Sequence, residues 1–394
     1  MQRKIPAVFM RGGTSRAVFF REDDMARYDQ HLRDLIILST LGSPDPDGRQ
    51  IDGLGGGISS LSKAAIIGKS NSSDYDVTFN FAQVDVTTAS VDWSGTCGNM
   101  SAAVGPFAID EGLVPALEPI TPVRVLATNT GKVYIAHVPV HAGQAETEGD
   151  FYIDGVPGSG ACITLEYLRP DGSLGGNLLP TGKARQRIRL VNGRAVTISL
   201  VDVAIPTVYV RATELDADAT QLAPALDSQR KLQTMLEELR CHGAVLLGLA
   251  IDVEDARKKM RATPKIVMVA PPSPYLSSSA KPIAADQMDL LARAISMGNT
   301  HRTFPGTVSM CTAVAAAIEG TVVHEVSRPA TAGRVRIGHP AGIMGVGAKV
   351  RRHNATWIVD SVTVQRTARR IMEGSVLIPQ RVFDGRPWFV ERPS

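Results

Sequence analysis

The chain has few of the features that mark the specialised classes of protein. Aromatic residues make up 5% of its 394 residues and the formal net charge is +3. Neither a base-stacking surface nor a basic face for nucleic acid is therefore expected. No apolar run approaches the roughly 20 residues that span a membrane, and the first residues carry no signal-peptide pattern. These absences predict a cytoplasmic globular protein that binds neither nucleic acid nor membrane.

Cysteine and histidine are also sparse. The eight histidines are dispersed, and the four cysteines form no CxxC pair and no metal-ligand spacing. This pattern predicts reduced thiols and no metal site. The cysteines are Cys97, Cys162, Cys241 and Cys311.

The most informative stretch is DWSGTCGNM at residues 92–100, which leads into an alanine-rich apolar segment. If that segment is a helix, Cys97 lies at its N-terminus, among free backbone N–H groups and the positive end of the helix dipole. This environment favours a thiolate and therefore a cysteine that moves protons. The alternative is a packed thiol in a helix cap.

The two halves of the chain repeat one pattern, which predicts a duplicated α/β unit. In each half a strand pair precedes a helix, a lysine-led strand and an alanine-rich helix. The first half places these elements at 5–10, 16–21, 24–41, 63–67 and 101–109. The second half places them at 196–201, 206–211, 228–242, 265–269 and 307–318, with a further helix predicted over 286–297.

The repeat separates the cysteines. Aligning the two alanine-rich helices by their Gly-terminated ends places Cys97 opposite Gly306 or Thr307, and Cys311 one turn farther in. Cys311 is therefore predicted to be a core thiol. Two helix N-termini facing each other would form an anion site with a single cysteine.

Two other polar clusters are candidate sites. Arg11, in the turn MRGGTS at 10–15, could bind a carboxylate or simply stand in a solvated hairpin. Lys63 ends a glycine-rich loop that lacks the P-loop and dinucleotide patterns, so nucleotide binding is disfavoured. Lys63 is a candidate general base at the start of an apolar strand. Lys265 occupies the matching place in the second half, so the residues alone favour a structural role over catalysis.

Taken together, these clusters resemble the PrpF-type isomerase family over residues 5–380. The matching motifs, in chain order, are MRGGTS (10–15), GSPDP (42–46), IDG (51–53), SK (62–63), VDWSG (91–95), CGN (97–99), TPKI (263–266), SMG (296–298) and GHP (338–340). The family includes 2-methylaconitate cis–trans isomerase, 3-methylitaconate isomerase and 4-oxalomesaconate tautomerase. The sequence departs from the family pattern at Thr96, Ala280 and Ala341, which usually are asparagine, glycine and serine.

The resemblance implies the diaminopimelate-epimerase fold, an α+β arrangement of two pseudo-symmetric domains with the active site between them. Each domain is expected to be a curved, mostly antiparallel sheet wrapped around a central helix. We expect the first domain to cover 1–184 and the second to cover 185–394.

The resemblance also implies a catalytic pair, Lys63 and Cys97, in a cofactor-free isomerase of an unsaturated di- or tricarboxylate. Which of the two is acid and which is base stays open. The alternatives are an amino-acid epimerase of the same fold and a non-catalytic partner of a dehydratase. A monomer or homodimer is expected, in propionate or aromatic acid catabolism. The predicted substrate-binding residues are Arg11, Thr14, Ser15, Ser59, Ser60, Gly98, Asn99, His301, Gly306 and Thr307.

Overall fold

A computed structural model describes residues 1–174, 176–260, 263–296, 298–330, 333–354 and 356–389. The strands are β1 (Gln2–Gly12), β2 (Ser15–Arg21), β3 (Lys63–Lys69), β4 (Val77–Val84), β5 (Val91–Asp92), β6 (Ile120–Ala127), β7 (Lys132–His141), β8 (Gln144–Ala145), β9 (Phe151–Tyr152), β10 (Ser159–Gly160), β11 (Ile163–Leu168), β12 (Gln186–Arg189), β13 (Ala195–Val203), β14 (Ile205–Arg211), β15 (Lys265–Ala270), β16 (Tyr275–Leu276), β17 (Pro282–Ile283), β18 (Leu290–Ser296), β19 (Asn299–Thr300), β20 (Arg334–His339), β21 (Gly342–His353), β22 (Thr356–Arg366) and β23 (Ala368–Pro379). The helices are α1 (Glu22–Met25), α2 (Gln30–Leu41), α3 (Gly98–Asp110), α4 (Ala223–Asp227), α5 (Arg230–Leu246), α6 (Val253–Lys259), α7 (Gly306–Ala317), α8 (Val322–Val326) and α9 (Gln380–Phe383).

The chain divides into two units. Unit 1 is formed by Met1–Glu166 and by the C-terminal segment from Gln365 onward, and unit 2 by Tyr167–Val364. This division differs from the expected boundary after residue 184. The C-terminal segment belongs to unit 1 because β23 pairs antiparallel with β1 along its whole length.

The sheet of unit 1 follows a regular alternation of strand directions. β1 pairs antiparallel with β2, β2 parallel with β3, β3 antiparallel with β4, β4 parallel with β6, and β6 antiparallel with β7. Parallel neighbours need a crossover connection, and helices provide it. α2 lies between β2 and β3, and α3 lies between β4 and β6.

Unit 2 has the same sequence of strand directions. β13 pairs antiparallel with β14, β14 parallel with β15, β15 antiparallel with β18, β18 parallel with β20, and β20 antiparallel with β21. Here α5 and α7 occupy the crossovers that α2 and α3 occupy in unit 1. The predicted duplication of an α+β unit is therefore confirmed.

The central helix of each unit is apolar on all sides because protein surrounds it. Every residue of α3 from Met100 to Ile109 is buried, and so is every residue of α7 from Val308 to Ala316. A helix that is hydrophobic all round belongs in a core rather than at a surface. α3 packs on strands β1, β2, β6, β7 and β23 of its own unit.

Two predicted helices differ from the structure. The span 24–41 is interrupted because Asp29 caps a new helix, accepting a hydrogen bond from the Leu32 backbone N–H at 2.8 Å. The helix predicted over 286–297 is wrong: β18 occupies Leu290–Ser296, and Met297 lies outside the described residues. Its leucines and alanines favour a helix locally, but the buried position in the sheet decides the conformation.

No helix among the described residues has the length and apolar character required to cross a membrane.

Candidate active site

Cys97 is the N-cap residue of α3, at the helix N-terminus that the sequence predicts. Its backbone is extended (φ −129°, ψ 106°), and its carbonyl accepts hydrogen bonds from the Ser101 backbone N–H at 2.9 Å and Ser101 Oγ at 3.0 Å. Its side chain is half-buried and, within the described residues, makes no capping hydrogen bond. Cys97 therefore lies at a helix N-terminus, a position where negative charge is stabilised.

The segment that leads to Cys97 is anchored at its start, over residues 92–94. Asp92 Oδ1 accepts hydrogen bonds from the Ser94 backbone N–H at 2.8 Å and from Ser94 Oγ at 2.6 Å. Asn129 Nδ2 donates to the Trp93 carbonyl at 2.6 Å, and Trp93 Nε1 donates to Asp34 Oδ1 at 2.9 Å. A short turn fixed in this way limits where the thiol can lie.

Lys63 is the first residue of β3 and is 7% exposed. Its Nζ donates a hydrogen bond to Gln83 Oε1, and it lies 5.3 Å from the centre of the Phe81 ring. Gln83 is its direct partner across the β3–β4 pairing. Burying an amine is costly unless it is hydrogen-bonded, so this amide is part of what permits a lysine here.

Strand register brings Lys63 and the Cys97 segment to one corner of unit 1. Lys63 pairs with Gln83, and Gln83 pairs with Asp92, so the three side chains point to one face of adjacent strands. Two strand spacings separate Lys63 from Asp92, about 10 Å. Cys97 follows Asp92 through the anchored turn, on the face of the sheet that α3 covers.

The predicted binding residue Asn99 holds α3 to the first hairpin. Its Nδ2 donates to Thr14 Oγ1 at 3.0 Å and lies 3.4 Å from Ser15 Oγ, and its Oδ1 accepts from Arg366 Nε at 3.3 Å. A Cβ at Gly13, where φ is +51°, would lie 2.3 Å from Asn99 Oδ1. The glycine is therefore required for this close approach.

Arg11 is also engaged with the backbone. Its Nη1 donates to the carbonyls of Gly13 and Thr367, each at 3.0 Å. Burial, together with the nearby Arg369, lowers the pKa of Arg11. Arg11 thus ties the hairpin turn to the segment that precedes β23, rather than standing in a solvated hairpin.

Ser59 and Ser60 lie in a single 3₁₀ turn, Ser59–Leu61, directly before Lys63. The preceding loop is built around Gln50, whose Oε1 accepts from the Gly57 backbone N–H at 2.9 Å and Ser62 Oγ at 2.6 Å. Ser59 is exposed, and its carbonyl accepts a hydrogen bond from Gln83 Nε2 at 3.1 Å. Ser59 is therefore linked to Lys63 through the Gln83 amide.

The remaining predicted residues belong to unit 2. Gly306 begins α7 and Thr307 follows it, with Pro305 as the N-cap residue. His301 Nδ1 accepts a hydrogen bond from the Thr303 backbone N–H at 3.1 Å, so in its neutral form the ring carries its proton on Nε2. Burial lowers the pKa of His301, a nearby Lys265 adding to the effect. Burial likewise lowers the pKa of Lys265.

Cys311 is the core thiol that the repeat predicts. It is fully buried in α7, and its Sγ contacts the Val201 carbonyl at 3.3 Å. Burial raises its pKa to about 12. Cys311 is therefore protonated at neutral pH and lies inside the helix, not at its N-terminus.

Gln83 and Arg366 also shape this corner, although no sequence motif includes either residue. A signal for Gln83 is present in β4, where it continues the inward-facing series of Phe79 and Phe81. A polar residue on an otherwise apolar strand face needs a partner, and here the partner is Lys63. Within the described residues, no three His, Cys, Asp or Glu side chains are grouped to hold a metal ion.

Comparison with known proteins gives matches along almost the whole chain. A family model described as "PrpF protein" matches residues 2–379. A 2-methyl-aconitate isomerase from Cupriavidus necator is 40% identical over 392 residues, covering 97% of this chain and 99% of that protein.

Solved structures extend the comparison to the fold. A crystal structure of a methylitaconate-delta-isomerase matches with a TM-score of 0.89 and 41% identity, covering 99% of this chain and 100% of that one. A hydroxyproline epimerase from Agrobacterium vitis matches with a TM-score of 0.51 at 10% identity, over 96% of this chain and 94% of that one. The second match shows the epimerase-like fold alone.

Proposed function

Because the chain belongs to the PrpF family of isomerases, we propose that it moves a double bond within an unsaturated di- or tricarboxylate by proton transfer. The observation that carries the proposal is the strand register that places Lys63 two strands from Asp92, which lies five residues before Cys97 at the start of α3. The similar proteins are named as isomerases of 2-methyl-aconitate and methylitaconate. The substrate of this chain is proposed to be an acid of that class.

The proposed reaction needs removal of one proton and return of another, and Lys63 and Cys97 are assigned to these steps. One removes a proton from the carbon allylic to the double bond, which leaves a dienolate stabilised by the adjacent carboxylate. A proton then returns at another carbon of the allylic system, from either group, so the product is an isomer. General acid–base groups of this kind contribute about 10²–10⁴-fold to a rate.

The dienolate carries negative charge, and the free N–H groups of Gly98 and Asn99 are proposed to stabilise it. The side chain of Asn99 is engaged with the hairpin, so its backbone is the proposed substrate contact. Ser59 and Ser60, directly before Lys63, are proposed to bind a carboxylate. Six further residues stay predicted contacts of the substrate. They are Arg11, Thr14 and Ser15 in unit 1, and His301, Gly306 and Thr307 in unit 2.

The environment of Cys311 disfavours an amino-acid racemase with two thiols. Such a reaction requires a second acid or base that exchanges protons near neutral pH, and burial raises the pKa of Cys311 to about 12.

Free thiols and a small anionic substrate are in keeping with a cytoplasmic enzyme, which we propose to be a monomer or homodimer.

A substrate panel tests the proposal. We expect turnover of at least one of 2-methylaconitate, methylitaconate, 4-oxalomesaconate and aconitate, followed by ultraviolet absorbance because moving the double bond changes its conjugation. Lys63→Ala and Cys97→Ser should each lower kcat by about 10²-fold or more. Absence of turnover on all four acids, with the protein folded, would favour the non-catalytic partner of a dehydratase.

A further inference from the structure

We propose that Gln83 is a positioning residue for Lys63, holding the amine at the start of β3 with an uncharged acceptor. The inference rests on the proposed function, in which Lys63 moves a proton, and it adds a residue that neither family membership nor the sequence motifs assign. Gln83 itself is not proposed to touch the substrate. It acts through the lysine.

The orientation of the Gln83 amide is fixed by its neighbours. Nε2 donates to the carbonyls of Ser59 and Ser62, each at 3.1 Å, and lies 3.3 Å from the carbonyl of Val84. Carbonyl oxygens accept hydrogen bonds and cannot donate, so the opposite amide orientation would place Oε1 against them. Oε1 is thereby left facing Lys63 Nζ, to which it is hydrogen-bonded.

The choice of an amide over a carboxylate has a chemical consequence. A carboxylate within hydrogen-bond reach would stabilise the ammonium form of Lys63 and hold its proton. An amide oxygen accepts the same hydrogen bond without a full negative charge, and the Phe81 ring restrains the amine from a second side. Lys63 is therefore fixed in place by a partner that adds no full negative charge beside the amine.

Other ionisable groups near this corner are Asp92 on β5 and Cys97 at α3. The Asp92 carboxylate accepts hydrogen bonds from Ser94, and it neighbours Gln83 in the strand register. Both groups stay unchanged in the variants proposed below. A change in pH dependence is then assigned to position 83 itself.

The test compares Gln83→Leu and Gln83→Glu with a control, Thr78→Val, on the same strand. We expect Gln83→Leu to lower kcat by about 10²-fold while KM changes little, because misplacing a catalytic group affects the transition state. Gln83→Glu should move the limb of the kcat–pH profile set by Lys63 upward by about 1–2 pH units. Thr78 Oγ1 lies 3.5 Å from the Gly68 carbonyl, and its variant should leave both quantities unchanged.

A second measurement does not depend on turnover. Reductive methylation modifies the neutral amine, so the pH dependence of Lys63 labelling, followed by mass spectrometry, reports its protonation. Gln83→Glu should shift that labelling curve upward by the same amount. An unshifted curve, or wild-type kcat in Gln83→Leu, would overturn the positioning role. A shifted curve in a protein whose Lys63→Ala variant keeps full turnover would support the positioning role and refute the proposed function.

Discussion

At the scale of single residues, environment distinguishes two cysteines that lie in equivalent helices. Cys97 is the half-buried N-cap residue of α3, whereas Cys311 lies inside α7 with its pKa raised to about 12 by burial. A thiolate is the reactive form of cysteine. The proposed chemistry uses the first thiol, and the second packs in the core.

The contacts of Asn99 predict a loss of stability when its side chain is shortened. Asn99→Ala removes the donor to Thr14 and Ser15 and the acceptor of Arg366 Nε. Hydrogen bonds to charged groups contribute about 1.5–3 kcal/mol, so the free energy of unfolding should fall by about 2–3 kcal/mol in urea titrations. Asn71→Ala, in an exposed loop, is the control and should change it by less than about 0.5 kcal/mol. Equal effects of both variants would contradict the assigned network.

At the scale of elements, α3 depends on small residues to approach the sheet. A Cβ at Gly105 would lie 2.5 Å from Val138 Cγ2 and 3.0 Å from Ala136 Cβ on β7. Valine is stiff about its first side-chain torsion and cannot readily move aside. The close packing of α3 on β7 therefore depends on Gly105, which has no side chain.

Gly105→Ala should therefore destabilise the protein, although alanine favours a helix by about 0.8–1.0 kcal/mol over glycine. Overpacking a core costs about 1–3 kcal/mol, so the net change in the free energy of unfolding should be a decrease. Adding Val138→Ala should relieve the overlap, and Gly176→Ala, where a Cβ meets nothing within 4 Å, serves as the control. A stabilised Gly105→Ala protein would show that α3 is not in close contact with β7.

At the scale of the whole molecule, two units share one order of strand directions, yet the chain does not divide into two halves. The segment from Gln365 onward returns to unit 1, where β23 covers β1. The pairing of β23 with residues 2–12 of β1 covers an edge of β1 whose backbone N–H and C=O groups would otherwise be unpaired. Unit 1 is therefore completed by residues distant in sequence.

Local pattern predicts much of this fold, and long-range pairing accounts for what it misses. The two central helices and the position of Cys97 are predictable because apolar segments and flanking turns mark them. β18 is not, because its leucine- and alanine-rich run suits a helix as well as a buried strand. The sequence of β4 alone indicates that Gln83 needs a polar partner. That the partner is Lys63 follows from the pairing of β3 with β4, which the sequence does not reveal. Ala280 adopts φ +59°, a backbone conformation that glycine adopts at lower cost. This explains why the PrpF family usually has glycine at that position.

The central claim is that Lys63 and Cys97 exchange protons with the substrate, and deuterium incorporation from heavy water tests it most directly. With the acid identified by the substrate panel, the wild-type protein should place solvent deuterium on the allylic carbons. Lys63→Ala and Cys97→Ser should each slow this exchange by about 10²-fold or more, whereas Lys69→Ala, at the exposed end of β3, should not. Wild-type rates of deuterium exchange in both Lys63→Ala and Cys97→Ser would contradict the account.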